Sequence, residues 1–352
     1  MENFKVLSAG CVCGAALAAT LAFHSGAVLA EMDTVKIATT SISSDATFFI
    51  ADKKGYFKQE GLNAVFINFN SGAKMIAPLG AGQLDVGGGS ATAGLYNAIA
   101  RGINVKIVAD KGSMPLGYGF TSIMVRKDLI DSGKFKSFAD MKGLTVAMGA
   151  EGTSGASAVN EALKIGGLKY SDIKVVTMGY PQHLLAFRNK AIDASLTSEP
   201  TVTRAMKEGV AVRFSTNDTF YPDEQVAVVL YGDEFIKTRP AVAKKFMRAY
   251  IKAVRFYNDA LKDGKLAGPN AEEVIAILTE YTNIKDPAVY RAITPSGCNP
   301  DGLINMASLE KDFQFFKEQG YIEGNVNVGQ AVDNSFAAAA AKELGPYVRR
   351  PN

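Results

Sequence analysis

The chain has 352 residues, with 38 Lys and Arg against 35 Asp and Glu, a formal charge of +3 at neutral pH. So small an excess, with no basic cluster, argues against nucleic acid as a partner. Two of the three cysteines, Cys11 and Cys13, lie near the start and leave Cys298 alone, so stability must come from hydrophobic cores, and the length favours two lobes.

Residues 1–30 read as an export signal. Lys5 supplies a short basic region, Cys11 to Phe23 is almost entirely apolar or small, and Ala27-Val28-Leu29-Ala30 has the small-residue pattern of a cleavage site. The apolar run is too short for a membrane-spanning helix, which needs about 20 residues. A lipoprotein reading of Leu7-Ser8-Ala9-Gly10-Cys11 leaves too little chain ahead of the cysteine. Cleavage after Ala30 and an exported, soluble mature chain starting at Glu31 are expected.

The next part alternates strand and helix. VKIAT is a strand and Ala46–Lys54 a helix, AVFINF a strand and Gly72–Leu79 a short helix, LDVGG a strand and Ala93–Ala100 a helix, followed by strand VKIVA. This order predicts a largely parallel sheet covered by helices. GFTSIMVRKD is a long apolar run. The alternation then restarts with LTVAM, KVVTM, DASLT and VAVRF, separated by helices over 155–165, 182–189 and 200–207. A second long run, EQVAVVLYG, precedes a helical tail that opens on Arg239–Leu261, where Val242, Phe246, Tyr250, Val254 and Tyr257 recur at core spacing. The fold class expected is α/β: two α/β lobes joined by two crossing strands, with a helical C-terminal tail. The first lobe takes 31–122 and 227–352, and the second 123–226.

Three strand-to-helix junctions are rich in small and hydroxyl residues: Ser43 to Thr47, Gly87 to Thr92 and Gly149 to Gly155. Such residues cap helices. They also let a ligand reach the unpaired N–H groups and positive end of a helix, which suits an anion. Junctions drawn from both lobes can converge on one cleft.

Four segments carry a resemblance: FFIADKKGYFKQEGLNAVFINF, LGAGQLDVGGGSATAGLYNAIARGINVKIVA, KAIDASLTSEPTV and VDNSFAAAAAKELG. Across most of the mature chain they resemble the periplasmic solute-binding proteins of nitrate/sulfonate/taurine-type ABC importers, within the thiamine-pyrimidine-synthase-like superfamily. The resemblance implies a two-lobed periplasmic binding protein of type II that closes on a small organic anion, a sulfonate or carboxylate, and docks on a membrane permease. Thiamine-pyrimidine-type heterocycles are the alternative ligand. Carried over by position, the cleft would be lined by Ser44, Asp45, Thr47, Gly89, Ser90, Ala91, Thr92, Gly152, Thr153, Ser154, Gln182 and Glu199. The chain has no tryptophan, so Tyr118, Phe120, Tyr180 or Tyr221 would supply any aromatic wall.

Little in the sequence points to catalysis. His183 is the single histidine left once His24 departs with the signal, and HExxH, GxSxG, Walker and paired CxxC patterns do not occur in the mature chain. Ser71 to Lys74 matches SxxK without its supporting elements. Relatives that make the thiamine pyrimidine use a histidine beside a cysteine-rich motif, and this chain has no such cluster. No catalytic residue, metal or cofactor is expected. Glu199, with Asp45 and Glu151 behind it, is the carboxylate expected to meet a polar group of the ligand, although its position also suits the positive end of a helix.

Overall fold

The computed structural model describes residues 31–69 and 71–350. The expected export segment, 1–30, lies outside the described residues. Two five-stranded sheets organise the chain. In the first lobe, β1 (Asp33–Thr39), β2 (Leu62–Asn68), β3 (Val86–Gly89) and β4 (Val105–Met114) are joined by β10 (Glu224–Gly232), in the order β2-β1-β3-β10-β4. In the second, β5 (Thr121–Arg126), β6 (Thr145–Met148), β7 (Lys174–Thr177), β8 (Ala194–Ser198) and β9 (Ala211–Thr216) take the order β7-β6-β8-β5-β9.

The parallel sheet expected from the alternation holds for three neighbouring strands on each side. β10 then inserts between β3 and β4, antiparallel to both, and β5 inserts between β8 and β9 in the same way. The two long apolar runs are these inserted strands, buried on both faces. Each arrives from the other lobe, so it enters its sheet from the end opposite to its neighbours and must run antiparallel. The two lobes therefore share two chain crossings, 115–120 and 221–223.

Helices cover both sheets. The first lobe carries α1 (Ala46–Lys53), α2 (Tyr56–Gln59), α3 (Ile76–Gly80) and α4 (Ala93–Ala100). The second carries α5 (Lys127–Asp131), α6 (Ser154–Ile165), α7 (Tyr180–Arg188), α8 (Thr201–Lys207) and α9 (Asn217–Phe220). After β10 come α10 (Asp233–Thr238), α11 (Pro240–Ala260), α12 (Ala271–Tyr281), α13 (Pro287–Ala292), α14 (Met306–Glu318), α15 (Val328–Ala331) and α16 (Ser335–Leu344).

The apolar stripe of α11 does what its spacing implies. Phe246, Tyr250 and Val254 are fully buried, and Phe246 packs its ring on Phe57 and near Phe48 of the first lobe. Burying such side chains stabilises by about 1.5–3 kcal/mol each, so the tail is an integral part of the first lobe. Among the described residues no helix is long and apolar enough to cross a membrane.

Candidate functional site

Because β2, β3 and β6 lead into helices at their carboxyl ends, the turns that follow them gather around one cavity between the sheets. The cavity there is about 340 Å³, room for about ten waters at their liquid volume. From the first lobe it is lined by Ser71, Gly72, Ala73 and Ile76 at the start of α3, and by Ser90 and Thr92 ahead of α4. The second lobe contributes Gly149, Ala150, Thr153, Ser154 and Gly155 around the start of α6, with Tyr180 at the start of α7. Val226 of the crossing strand completes the wall.

No side chain in this lining carries a formal charge at neutral pH. What it offers is hydroxyls, glycine backbone and the first turns of two helices. Thr92 caps α4, its hydroxyl accepting from the Leu95 N–H at 3.2 Å. Thr153 stands at the N-cap of α6 but donates its hydroxyl to the Ala150 carbonyl at 2.8 Å, which makes the preceding turn rigid and leaves the first-turn N–H groups of α6 uncapped by its side chain. The lobes meet at the rim through the backbone: the Ala93 N–H donates to the Gly152 carbonyl at 2.9 Å. Gly152 has φ +62, and a Cβ there would stand 3.1 Å from the Cβ of Ala93, so glycine suits both the turn and the approach.

The sequence-derived residues divide sharply. Ser90, Thr92, Thr153 and Ser154 line the cavity, Gly89 and Ala91 are buried in the turn leading to α4, and Gly152 sits at the rim. Asp45 is fully buried with its oxygens taken up internally: Lys111 donates to Oδ1 at 2.7 Å, and the Thr40 and Ile42 N–H groups donate to Oδ2 at 3.0 and 3.3 Å. Lys111 also donates to the Ser44 hydroxyl at 2.9 Å. Thr47 points into the core and donates to the Tyr250 hydroxyl at 3.2 Å. None of these three lines the cavity.

Glu199 is likewise occupied. It accepts from the Thr203 N–H and hydroxyl at 3.0 Å each and pairs with Arg213 at 2.8 Å, so it caps α8. Gln182 is exposed, and Tyr118 is half-buried against the first lobe's core. The glycine run in β3 has a packing origin as well, because a Cβ on Gly88 would come within 2.8 Å of Asp45 Oδ1 and 2.9 Å of the Phe48 ring.

The Ser71–Ile76 segment, which the sequence offers as the start of a short helix and as an SxxK match, leaves Lys74 exposed while its neighbours line the cavity. Its signal was the same small-residue junction, here following β2. His183 is on the buried face of α7. Its Nε2 lies 3.3 Å from the Met178 carbonyl, which can only accept, so Nε2 carries the proton and Nδ1 accepts from the Thr197 hydroxyl at 2.8 Å. Burial holds its pKa down to about 4. Cys298 is buried, and burial together with Asp110 pushes its thiol well up.

Two sheets with interleaved crossings and a cleft at their strand ends define the periplasmic-binding-protein fold. The chain belongs to the NMT1-like family, whose match covers residues 29–275. The periplasmic aliphatic sulphonate-binding protein SsuA of Escherichia coli superposes with a TM-score of 0.67 at 19% identity, over 85% of this chain and 91% of that one. A Brucella abortus protein named as a binding protein is 30% identical over 210 residues, which span 59% of this chain and 61% of the relative. The Saccharomyces cerevisiae 4-amino-5-hydroxymethyl-2-methylpyrimidine phosphate synthase THI11 is 28% identical over 220 residues, or 59% of this chain and 62% of its own length. The match thus spans less than two thirds of the curated relatives.

Proposed function

We propose that this chain is the exported, monomeric capture component of an ABC importer, binding a small organic anion, a sulfonate or carboxylate, and delivering it to a membrane permease. The observation that carries the reading is the cleft itself: about 340 Å³, uncharged at neutral pH, with the first turns of α4 and α6 presented from opposite lobes. The positive ends of two helices attract a single delocalised negative charge, while Ile76, Val226 and the ring of Tyr180 provide apolar surface for an organic group. The lobes formed by 31–122 with 227–352 and by 123–226 are the bodies that close, and the mature chain begins at Glu31. The fold it shares with the sulphonate-binding protein supports this reading.

A second reading, capture of an aminopyrimidine, has the yeast relative behind it. A neutral, hydroxyl-rich cavity also suits a heterocycle with several hydrogen-bonding edges. Calorimetric titration of purified protein against short alkanesulfonates, carboxylates and an aminopyrimidine separates the two. Micromolar or tighter binding of an alkanesulfonate or carboxylate, with the ligand recovered unmodified, supports anion capture. Binding of the pyrimidine alone replaces it, and a chemically altered ligand would indicate an enzyme.

A further inference from the structure

A second cavity between the lobes, of about 370 Å³, lies between α8 and α13 and shares no lining residue with the cleft. The second lobe supplies Pro200, Thr203, Arg204 and Lys207, spaced three and four apart and therefore on one side of α8. The first lobe supplies Ile284, Val289, Ala292 and Ile293. One wall is aliphatic, and the other carries two cations.

Both walls are held by bonds that leave the cavity free. Glu199 caps α8 and pairs with Arg213, so its carboxylate is not available to Arg204 or Lys207. α13 is anchored from behind by Tyr290, which is fully buried and bonds to the Thr282 hydroxyl. At its carboxyl end the Lys265 ammonium donates to the Ile293 carbonyl at 3.3 Å. The lining's acidic side chain, Asp286, is spent on the other end of α13, where it accepts from the Ala288 N–H at 2.9 Å.

The two cations are not committed elsewhere. Lys207 makes no salt bridge among the described residues. Arg204 stands 4.0 Å from one oxygen of Glu208, the outer limit of an ion pair, and the other oxygen of Glu208 is taken by Arg188. We propose that this groove is a second ligand site, for a bulky amphipathic anion. A fused aromatic body would lie against the aliphatic wall of α13, with a sulfonate head between Arg204 and Lys207.

Size and chemistry both select this occupant. The volume falls in the range of small-molecule pockets, about 300–1,000 Å³. A short alkanesulfonate would leave most of the α13 wall in water, and a cation would meet Arg204 and Lys207. Exposed charge contacts are weak, so the apolar body supplies most of the affinity and the head supplies the selection between anion and neutral molecule. This division differs from the cleft, where helix ends and hydroxyls face the ligand and no cation does. Because its walls belong to different lobes, a ligand here bridges them. The site stands whatever the cleft binds.

The test is a fluorescence titration with anilinonaphthalenesulfonate, with stoichiometry from calorimetry. One dye per chain should bind with micromolar affinity. The double variant Arg204→Ala with Lys207→Ala should weaken binding by about tenfold, the scale of two exposed charge contacts. Ala292→Phe, which fills the cavity, should weaken it at least as much. All three positions are exposed, so denaturation midpoints should match the wild type. Neutral phenylnaphthylamine, the same rings without the sulfonate, should bind the wild type about tenfold more weakly than the dye and should not distinguish the wild type from the double variant. The absence of saturable binding below millimolar dye, or equal dye affinity in the wild type and both variants, overturns the proposal. Complete displacement of the dye by excess ethanesulfonate would place it in the cleft and overturn the proposal too, whereas simultaneous binding supports two sites. If ethanesulfonate does not bind, the anion reading of the cleft is what fails, and the variants still decide the second site.

Discussion

The junction after β1 and the junction after β6 look alike as sequence, yet they do opposite things. After β1, Asp45 gathers two backbone N–H groups and the Lys111 ammonium, Ser44 accepts from the same lysine, and Thr47 reaches Tyr250. Its hydrogen-bonding capacity is sealed inside the first lobe. After β6, Thr153 only stiffens its own turn, and the start of α6 opens onto the cavity. Small and hydroxyl residues at a strand end therefore announce a helix start. Whether that start is available to a ligand depends on how an acidic side chain in the motif, Asp45, is taken up by a distant cation, Lys111, which the motif does not contain.

The largest test of the contrast is Asp45→Ala. It strands the Lys111 ammonium, 2% exposed at its side chain, without a counter-charge. Breaking one half of a buried pair costs about 3–5 kcal/mol, to be read by urea denaturation. The joint replacement Asp45→Leu with Lys111→Met should recover much of that, and a single-variant loss below about 1 kcal/mol would mean that the first junction is not sealed.

His183 extends the sealed group into the second lobe, and its test is acidification. Its folded pKa, about 4, lies below the ordinary 6.5. The unfolded chain therefore takes up a proton first, and the contribution of His183, full above 6.5, is lost as pH falls toward 4, with a slope of at most about 1.4 kcal/mol per pH unit. Denaturation midpoints across that window should fall more steeply in the wild type than in His183→Gln. Equal slopes would make the histidine solvent-accessible.

On the open side, Gly152→Ala adds a side chain where φ is +62 and Ala93 of the other lobe is close. A non-glycine residue in that region costs about 1–3 kcal/mol. Ligand affinity should drop by about tenfold as closure is opposed, with X-ray scattering showing a larger ligand-bound radius than the wild type. The smallest effect expected is that of Ser90→Ala, a loss of about 0.5–1.5 kcal/mol in binding with an unchanged denaturation midpoint. A shifted midpoint with unchanged affinity would place Ser90 among the sealed residues.

The sequence made the elements legible because their periodicities are strong. Helix 93–100, strand 224–232 and the long helix 240–260 fall within a residue of where their patterns put them. What stayed hidden was non-local. Asp45 and Lys111 are 66 positions apart, and nothing near either names the other. Glu199 sits at a helix start that suited both a ligand and a cap. Its commitment to capping rests on Arg213, on a strand that comes later in the chain. The antiparallel insertion of β5 and β10 follows from the chain crossing between lobes, whereas an apolar run by itself carries no direction. The cavity residues at Ser71–Ile76 follow β2 with small residues of the same kind, and their likeness to a catalytic motif obscures that signal.

The uncharged wall of the cleft also has a kinetic consequence. A receptor that holds its cargo with lysine or arginine draws anions in through a long-range field and slows as salt screens that field. Helix-end partial charges act only within the first turn, so here arrival is governed by diffusion and fit. For the proposed anion, association rates should therefore vary little between low and high ionic strength.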